Sequence, residues 1–201
     1  MADVQETVAA IRAGQPVILP TDTVYGLCAT PYDEEAAARV YRLKGRPDAV
    51  PSALIFSDLE TLFDCVPELA GQSCTYARAL LPGPYTLVLP NPARRFRWLT
   101  GDARDTIGVR VPPAEGLFRE VLEEVGAVAA TSANRHHGLD PRRLEDVPRE
   151  IREGCAAEID GGELPGVPST VVDLAGPEPK ILREGAVPAD VVFRRLAALA
   201  A

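Results

Sequence analysis

The feature that most constrains this chain is its punctuation. Short apolar runs recur along it, and proline, glycine or a polar cluster stops each one. Val17-Ile18-Leu19 ends at Pro20, and the run Tyr85 to Leu89 ends at Pro90. The 201 residues include 19 prolines, about twice the usual share, and most sit at the ends of such runs. Each proline fixes φ and removes a backbone donor, so the chain reads as many short elements joined by rigid turns. No run approaches the roughly 20 apolar residues that span a bilayer. With 46% hydrophobic and 25% charged residues, wholesale disorder is excluded and one domain over residues 1–201 is expected. The N-terminus has acids before any arginine and no long apolar segment, so no signal peptide is expected and the cytoplasm is the expected location.

The elements follow from periodicity and caps. Asp3 to Ala13 reads as a helix with Val4, Val8 and Ile11 on one stripe and Gly14 as its stop. Asp33 caps a second helix through about Leu43, and Ser57-Asp-Leu-Glu60 matches a capping box. Further helices are expected over Glu68 to Leu81, Leu117 to Val125, Arg142 to Arg152 and Asp190 to Ala200. Strands are expected at Val17 to Leu19, Val24 to Ala29, Ala53 to Phe56, Tyr85 to Leu89, Thr106 to Val111 and Ala127 to Ala130. A weak strand at Ala156 to Ile159 and a pair at Val171 to Leu174 and Lys180 to Leu182 complete the set. Several neighbouring strands have no helix between them, which points to a mixed α/β sheet rather than a strictly doubly wound one.

The formal charge of −8 argues against a protein that coats nucleic acid by bulk charge, although Arg94, Arg95 and Arg97 cluster locally. Cys28, Cys65, Cys74 and Cys155 form no CxxC pair and read as reduced thiols. With His136 and His137 the only imidazoles, no metal site is expected.

The chemistry-bearing residues sit beside the apolar runs, where open α/β sheets bind ligands. Lys44 and Arg46 flank Gly45 at a helix end, with Pro47 after. They can hold one anion, or merely complement the helix C-terminus. Thr131-Ser-Ala-Asn134 is a ligand-lining turn or a plain cap, and Ser169-Thr170 is equally open. Asp22 is a turn carboxylate or a metal ligand, and Arg183 a surface charge or an anion contact.

Taken in order, seven stretches resemble the YrdC-like family, the threonylcarbamoyl-AMP synthases. They are PTDTVYGL (Pro20 to Leu27), KGRP (Lys44 to Pro47), LPGPYTLVL (Leu81 to Leu89), IGVRVP (Ile107 to Pro112), TSAN (Thr131 to Asn134), STVVDL (Ser169 to Leu174) and ILREGAV (Ile181 to Val187). The resemblance implies an open, twisted mixed sheet with flanking helices and a central anion-binding cavity, in the short form without the C-terminal extension some members carry. It implies a nucleotidyltransferase that joins L-threonine, bicarbonate and ATP into threonylcarbamoyl-AMP and pyrophosphate. Partner proteins would then carry the group to the adenosine next to the tRNA anticodon. Mg²⁺ would be held through the ATP phosphates, and no membrane would be involved.

By the same resemblance Lys44 and Arg46 are the catalytic pair on the ATP phosphates, with Thr106, Ser132, Asn134 and Arg183 also on the nucleotide. Thr23, Arg110 and Ser169 would hold threonine. Two departures stand out. Ile55 occupies a position where a threonine-contacting His can stand, and Arg135-His-His-Gly-Leu-Asp140 replaces a hydroxyl-bearing loop. The competing readings are an RNA-binding or ribosome-associated module, with some affinity for double-stranded RNA or tRNA, and a paralogue with different carbamoyl-adenylate chemistry.

Overall fold

The structure is a computed structural model that describes residues 2–45, 47 and 50–199. Helix α1 (Val4–Arg12) begins where Asp3 accepts the Glu6 N–H and Glu6 answers to the Asp3 N–H, a reciprocal cap. Then come β1 (Val17–Pro20), β2 (Tyr25–Ala29), α2 (Glu34–Lys44), β3 (Ala53–Phe56), α3 (Leu59–Cys65), α4 (Gly71–Leu80), β4 (Tyr85–Pro90) and β5 (Thr106–Arg110). The chain continues through α5 (Gly116–Val125), β6 (Ala127–Ser132), α6 (Arg149–Glu153), β7 (Ala157–Glu158), β8 (Thr170–Asp173), β9 (Lys180–Arg183) and α7 (Ala189–Ala197). Gly45 ends α2 in the left-handed conformation, φ 64°, which a Cβ would disfavour.

Three local expectations give way. The cap of α3 is Asp58, which accepts the Thr61 N–H, while Ser57 only supports that carboxylate. The helix expected from Glu68 starts at Gly71, because Glu68 instead reaches Arg95 in a two-pronged ion pair (2.6 and 2.7 Å). The stretch Arg142 to Arg152 splits into a 3₁₀ turn (Leu144–Asp146) and α6, since Pro148 has no N–H to continue a helix. The final helix stops at Ala197, and Ala200 lies outside the described residues.

Among the described residues, nine strands form one mixed sheet in the order β7-β1-β2-β6-β3-β5-β4-β8-β9. The parallel pairs are β1/β7, β3/β5 and β4/β8, and the remaining neighbours run antiparallel. One face packs along its width against α2, α3, α4, α6 and α7, through Leu54, Phe56, Leu87 and Val109 at one end and Ile18, Tyr25 and Leu27 at the other. The opposite face meets only α1 and α5, which cover Val17, Leu19, Cys28, Val128 and Ala130. Beyond those two helices that face carries no helix among the described residues, and the cavity lies there.

Among the described residues no helix is long and apolar enough to cross a membrane. All four cysteines are free. Cys28 is wholly buried and burial pushes its thiol pKa up, so it stays protonated.

Candidate functional site

The alternation of strand side chains builds the floor. In β4, Tyr85, Leu87 and Leu89 point into the core while Thr86 and Val88 face the cavity; in β8, Val171 and Asp173 do the same. The register sets Ala130, Ala53, Gly108, Val88 and Asp173 side by side across five strands. Small residues in the middle of that row leave depth above them, and the resulting cavity has a volume of about 520 Å³. Thr21, Thr23, Ser52, Thr106, Thr131, Ser132, Asp140, Ser169 and Arg183 are among its walls.

At the deep end Arg110 leaves β5 beneath the turn that follows β1. Its side chain is 9% exposed, and its Nη2 donates to both carboxylate oxygens of Asp22, at 2.7 and 2.9 Å. Its Nε–H is buried with no acceptor among the described residues. The turn is braced by itself: Thr21 Oγ1 donates to the Val24 carbonyl (2.7 Å), accepts the Val24 N–H, and sits 3.2 Å from Thr23 Oγ1. The deep end therefore offers an unfilled guanidinium donor and a buried threonine hydroxyl.

The second wall is a clamp on Ser169. Thr170 Oγ1 donates to the Val187 carbonyl (2.6 Å) and accepts the Gly185 and Val187 N–H groups, tying the end of β9 to the start of β8. A Cβ on Gly185 would collide with the Pro168 carbonyl, so only glycine permits this approach. Ser169 Oγ then shares a 2.7 Å hydrogen bond with Thr86, and Arg183 Nη2 donates to the Ser169 carbonyl at 2.9 Å. Arg183 stands at the cavity rim. Desolvation lowers its pKa first and the Arg110 charge lowers it further, while Asp140 opposes both.

Lys44 closes the third side from behind. It is buried, and its Nζ donates to the Ser132 carbonyl (2.5 Å), the Asn134 carbonyl (3.1 Å) and the Asn134 side-chain oxygen. Its own carbonyl accepts the His136 N–H. Lys44 thus pins the Thr131–Asn134 turn to the end of α2, and it is absent from the cavity wall itself. Asn134 is held in turn by its Nδ2 donating to the Gly138 carbonyl (2.6 Å) and to Asp140 (3.2 Å).

The expected residues therefore converge. Thr23, Thr106, Arg110, Ser132, Ser169 and Arg183 line one cavity, and Lys44 and Asn134 stand immediately behind Ser132. Arg46 lies outside the described residues. Ile55 is on the wall, apolar and buried. His136 and His137 stack on each other with ring centroids 3.9 Å apart, away from the wall. No group of three or more potential metal ligands occurs among the described residues. The arginine cluster is offset by acids, Arg94 by Asp105 and Arg95 by Glu68. Two residues were invisible as partners in the sequence: Asp22, whose arginine is 88 positions away, and Thr170, whose hydroxyl organises a wall it does not line.

Comparison with known proteins places the chain in a family. The Sua5/YciO/YrdC family, described as "Telomere recombination", matches residues 9–185. The threonylcarbamoyl-AMP synthase of Pyrococcus abyssi is 36% identical over 183 residues, covering 90% of this chain and 54% of that protein. The putative threonylcarbamoyl-AMP synthase of Mycobacterium tuberculosis is 35% identical over 181 residues, covering 90% of this chain and 82% of that protein. The crystal structure of P. abyssi Sua5 complexed with L-threonine superposes with a TM-score of 0.86 at 34% identity, over 96% of this chain and 56% of that one. The chain thus spans a little over half of its archaeal relative and most of its mycobacterial one. With the matched residues running through the whole sheet and around the whole cavity, the chain belongs to the Sua5/YciO/YrdC family.

Proposed function

We propose that this chain is a nucleotidyltransferase that makes threonylcarbamoyl-AMP and pyrophosphate from L-threonine, bicarbonate and ATP, for transfer by partner proteins to tRNA adenosine. The observation that carries the reading is the deep end of the cavity. Arg110 has a buried N–H there with no acceptor among the described residues, and Thr23 and Ser169 line the same cavity. That is a site for a small carboxylate that also bears a hydroxyl. Two relatives named for the activity and a relative's structure with L-threonine support the choice of amino acid.

The chemistry asks for positioning more than for a protein nucleophile. The threonine amine attacks the carbon of carbon dioxide with loss of a proton, or that of bicarbonate with loss of water, giving a carbamate. A carbamate oxygen attacks the α-phosphorus of ATP, and pyrophosphate leaves. Arg110, Thr23 and Ser169 would fix the amino acid, so its amine reaches out of the deep end. Ser132, Thr106 and Arg183 would line the nucleotide, with Arg46 on the phosphates and Lys44 and Asn134 holding the Ser132 turn in place. Cations aimed at the charge that develops on the phosphates supply the electrostatic part. Mg²⁺ would arrive through the ATP phosphates as part of the substrate. The cytoplasm, where ATP and tRNA meet, is the proposed compartment.

The test is direct. The protein is incubated with ATP, bicarbonate and L-threonine, and pyrophosphate and the adenylate are measured. Threonine- and bicarbonate-dependent formation of both is expected. Folded protein that makes neither sinks the reading. A panel of other amino acids in the same assay tests the paralogue reading that Ile55 favours, since an apolar wall replaces a position open to a polar contact.

A further inference from the structure

We propose that Asp22 is the residue that makes the deep end of the cavity accept a carboxylate and refuse a phosphate, by neutralising Arg110 while holding it in place. The proposal rests on the reading that an amino-acid carboxylate docks at Arg110, and it adds how that end is kept for the amino acid.

The problem is one of competing anions. The cavity of about 520 Å³ must hold a monoanionic carboxylate and a polyphosphate together, and release pyrophosphate afterwards. A bare, buried guanidinium is the stronger attractor for the more highly charged anion, because Coulomb energies grow as solvent is excluded. Left alone, Arg110 would capture ATP phosphates or pyrophosphate at the end where the amino acid belongs.

Asp22 removes that preference. Its side chain is 6% exposed and takes two hydrogen bonds from the single Nη2 of Arg110. The pair sums to zero charge. The Nε–H remains buried without an acceptor, and it belongs to a residue on the cavity wall, whereas Asp22 itself is not on that wall. One carboxylate oxygen can fill that donor, which is otherwise costly to leave unmade. A phosphate dianion would fill the same donor but would bring nearly twice the charge close to a buried carboxylate with no surplus cation to answer it. The Thr21–Val24 turn holds Asp22 by its own hydrogen bonds, so the filter is present before any ligand arrives. In this arrangement Asp22 is a positioning and specificity residue, not a catalytic one.

The experiment measures binding of L-threonine, alone and with inorganic phosphate, to the wild-type chain and to D22N, D22E and D22N/R110L. Wild-type protein is expected to bind threonine without displacement by phosphate. D22N keeps the shape and loses the charge. Its affinity for threonine alone is expected to be kept or to rise, because the guanidinium that docks the carboxylate is no longer neutralised. Phosphate should displace threonine from D22N, and pyrophosphate should become competitive with threonine in the synthesis assay. The double variant should lose the new phosphate binding, tracing it to Arg110. D22E retains the charge and should exclude phosphate as wild type does, so it carries the test if D22N does not fold. No phosphate displacement in D22N overturns the proposal, as does phosphate displacement in D22E. A wild-type chain that binds no threonine overturns the amino-acid reading instead. The gain of phosphate affinity in D22N over wild type still judges Asp22 in that case.

Discussion

The two ends of the sheet differ in what covers them. At the β7-β1-β2 end, helices stand on both faces. Every residue of β1 and β2 is buried, and the strands read as unbroken apolar runs. At the β5-β4-β8 end only one face carries helices among the described residues, burial alternates residue by residue along β4 and β8, and the uncovered face is the floor of the cavity. The first end gains burial on both faces, about 1.5–3 kcal/mol for each large apolar side chain. The second forgoes that on one face and uses the space for threonine and serine hydroxyls, two arginines and small residues. Stability and ligand chemistry are thus laid in different parts of one continuous sheet.

The sharpest way to break this division is Arg110→Leu. It removes the deep-end donor and leaves Asp22 buried without its partner, so a loss of 3–5 kcal/mol in stability is expected from the stranded charge. Product formation should fall by about two orders of magnitude as the contact is lost. Denaturant melts and pyrophosphate release measure the two, and near-normal threonine use would detach Arg110 from the site. In the doubly covered half, Leu27→Ala should cost about 3 kcal/mol by opening a cavity, with activity per folded molecule unchanged. An activity loss as large as the stability loss would erase the division.

Lys44→Ala tests the hinge between the halves. Several oxygens on the Ser132–Asn134 turn lose their donor, and both effects are expected together: about 2 kcal/mol of stability and at least a tenfold fall in adenylate formation. Loss of stability alone would make Lys44 a purely structural staple. Gly108→Val probes the floor. A Cβ there meets only ordinary contacts, with Ala53 and Thr86 at 3.8 Å, so stability should move by less than about 1 kcal/mol. The added methyls stand in the cavity, and KM for the substrates should rise several-fold. Unchanged KM would put the ligands elsewhere.

A further expected effect, on stability alone, lies back in the covered half. The Tyr25 hydroxyl is 2.9 Å from both Asp160 and the Gly162 carbonyl and accepts the Gly161 N–H. Burial, and then Asp160, raise its pKa from 10.0 to about 12. The folded state holds this proton more tightly than the unfolded chain does. Its contribution is therefore complete below pH 10 and is lost as pH rises through about 12. Tyr25→Phe should cost about 1 kcal/mol at neutral pH and flatten that alkaline limb in pH-dependent melts.

Element ends were legible where a single residue enforces them. Gly45 ends α2, Asp33 caps it, and the proline stops bound β1 and β4. They were misread where a longer-range partner intervened, as at Glu68, which Arg95 draws out of the helix. They were also misread where an interior proline was discounted, as at Pro148. The site was legible as residue types at strand ends, and Thr23, Arg110, Ser132 and Ser169 do share one cavity. Its internal roles were not. Lys44, which the residues leave as an anion ligand or a helix-end charge and the resemblance puts on the phosphates, stands in space behind Ser132. Asp22 reads as a turn and stands in space on Arg110.

The sequence alone determined the mixed α/β class, the short elements and the family stretches, because caps, periodicity and proline act within a few residues of chain. The tertiary structure decided which face stays uncovered, where the charges balance, and which donor is left for a ligand. Strand order brings together residues some 80 to 90 positions apart, such as Asp22 with Arg110 and Lys44 with Ser132, and no local rule encodes that proximity.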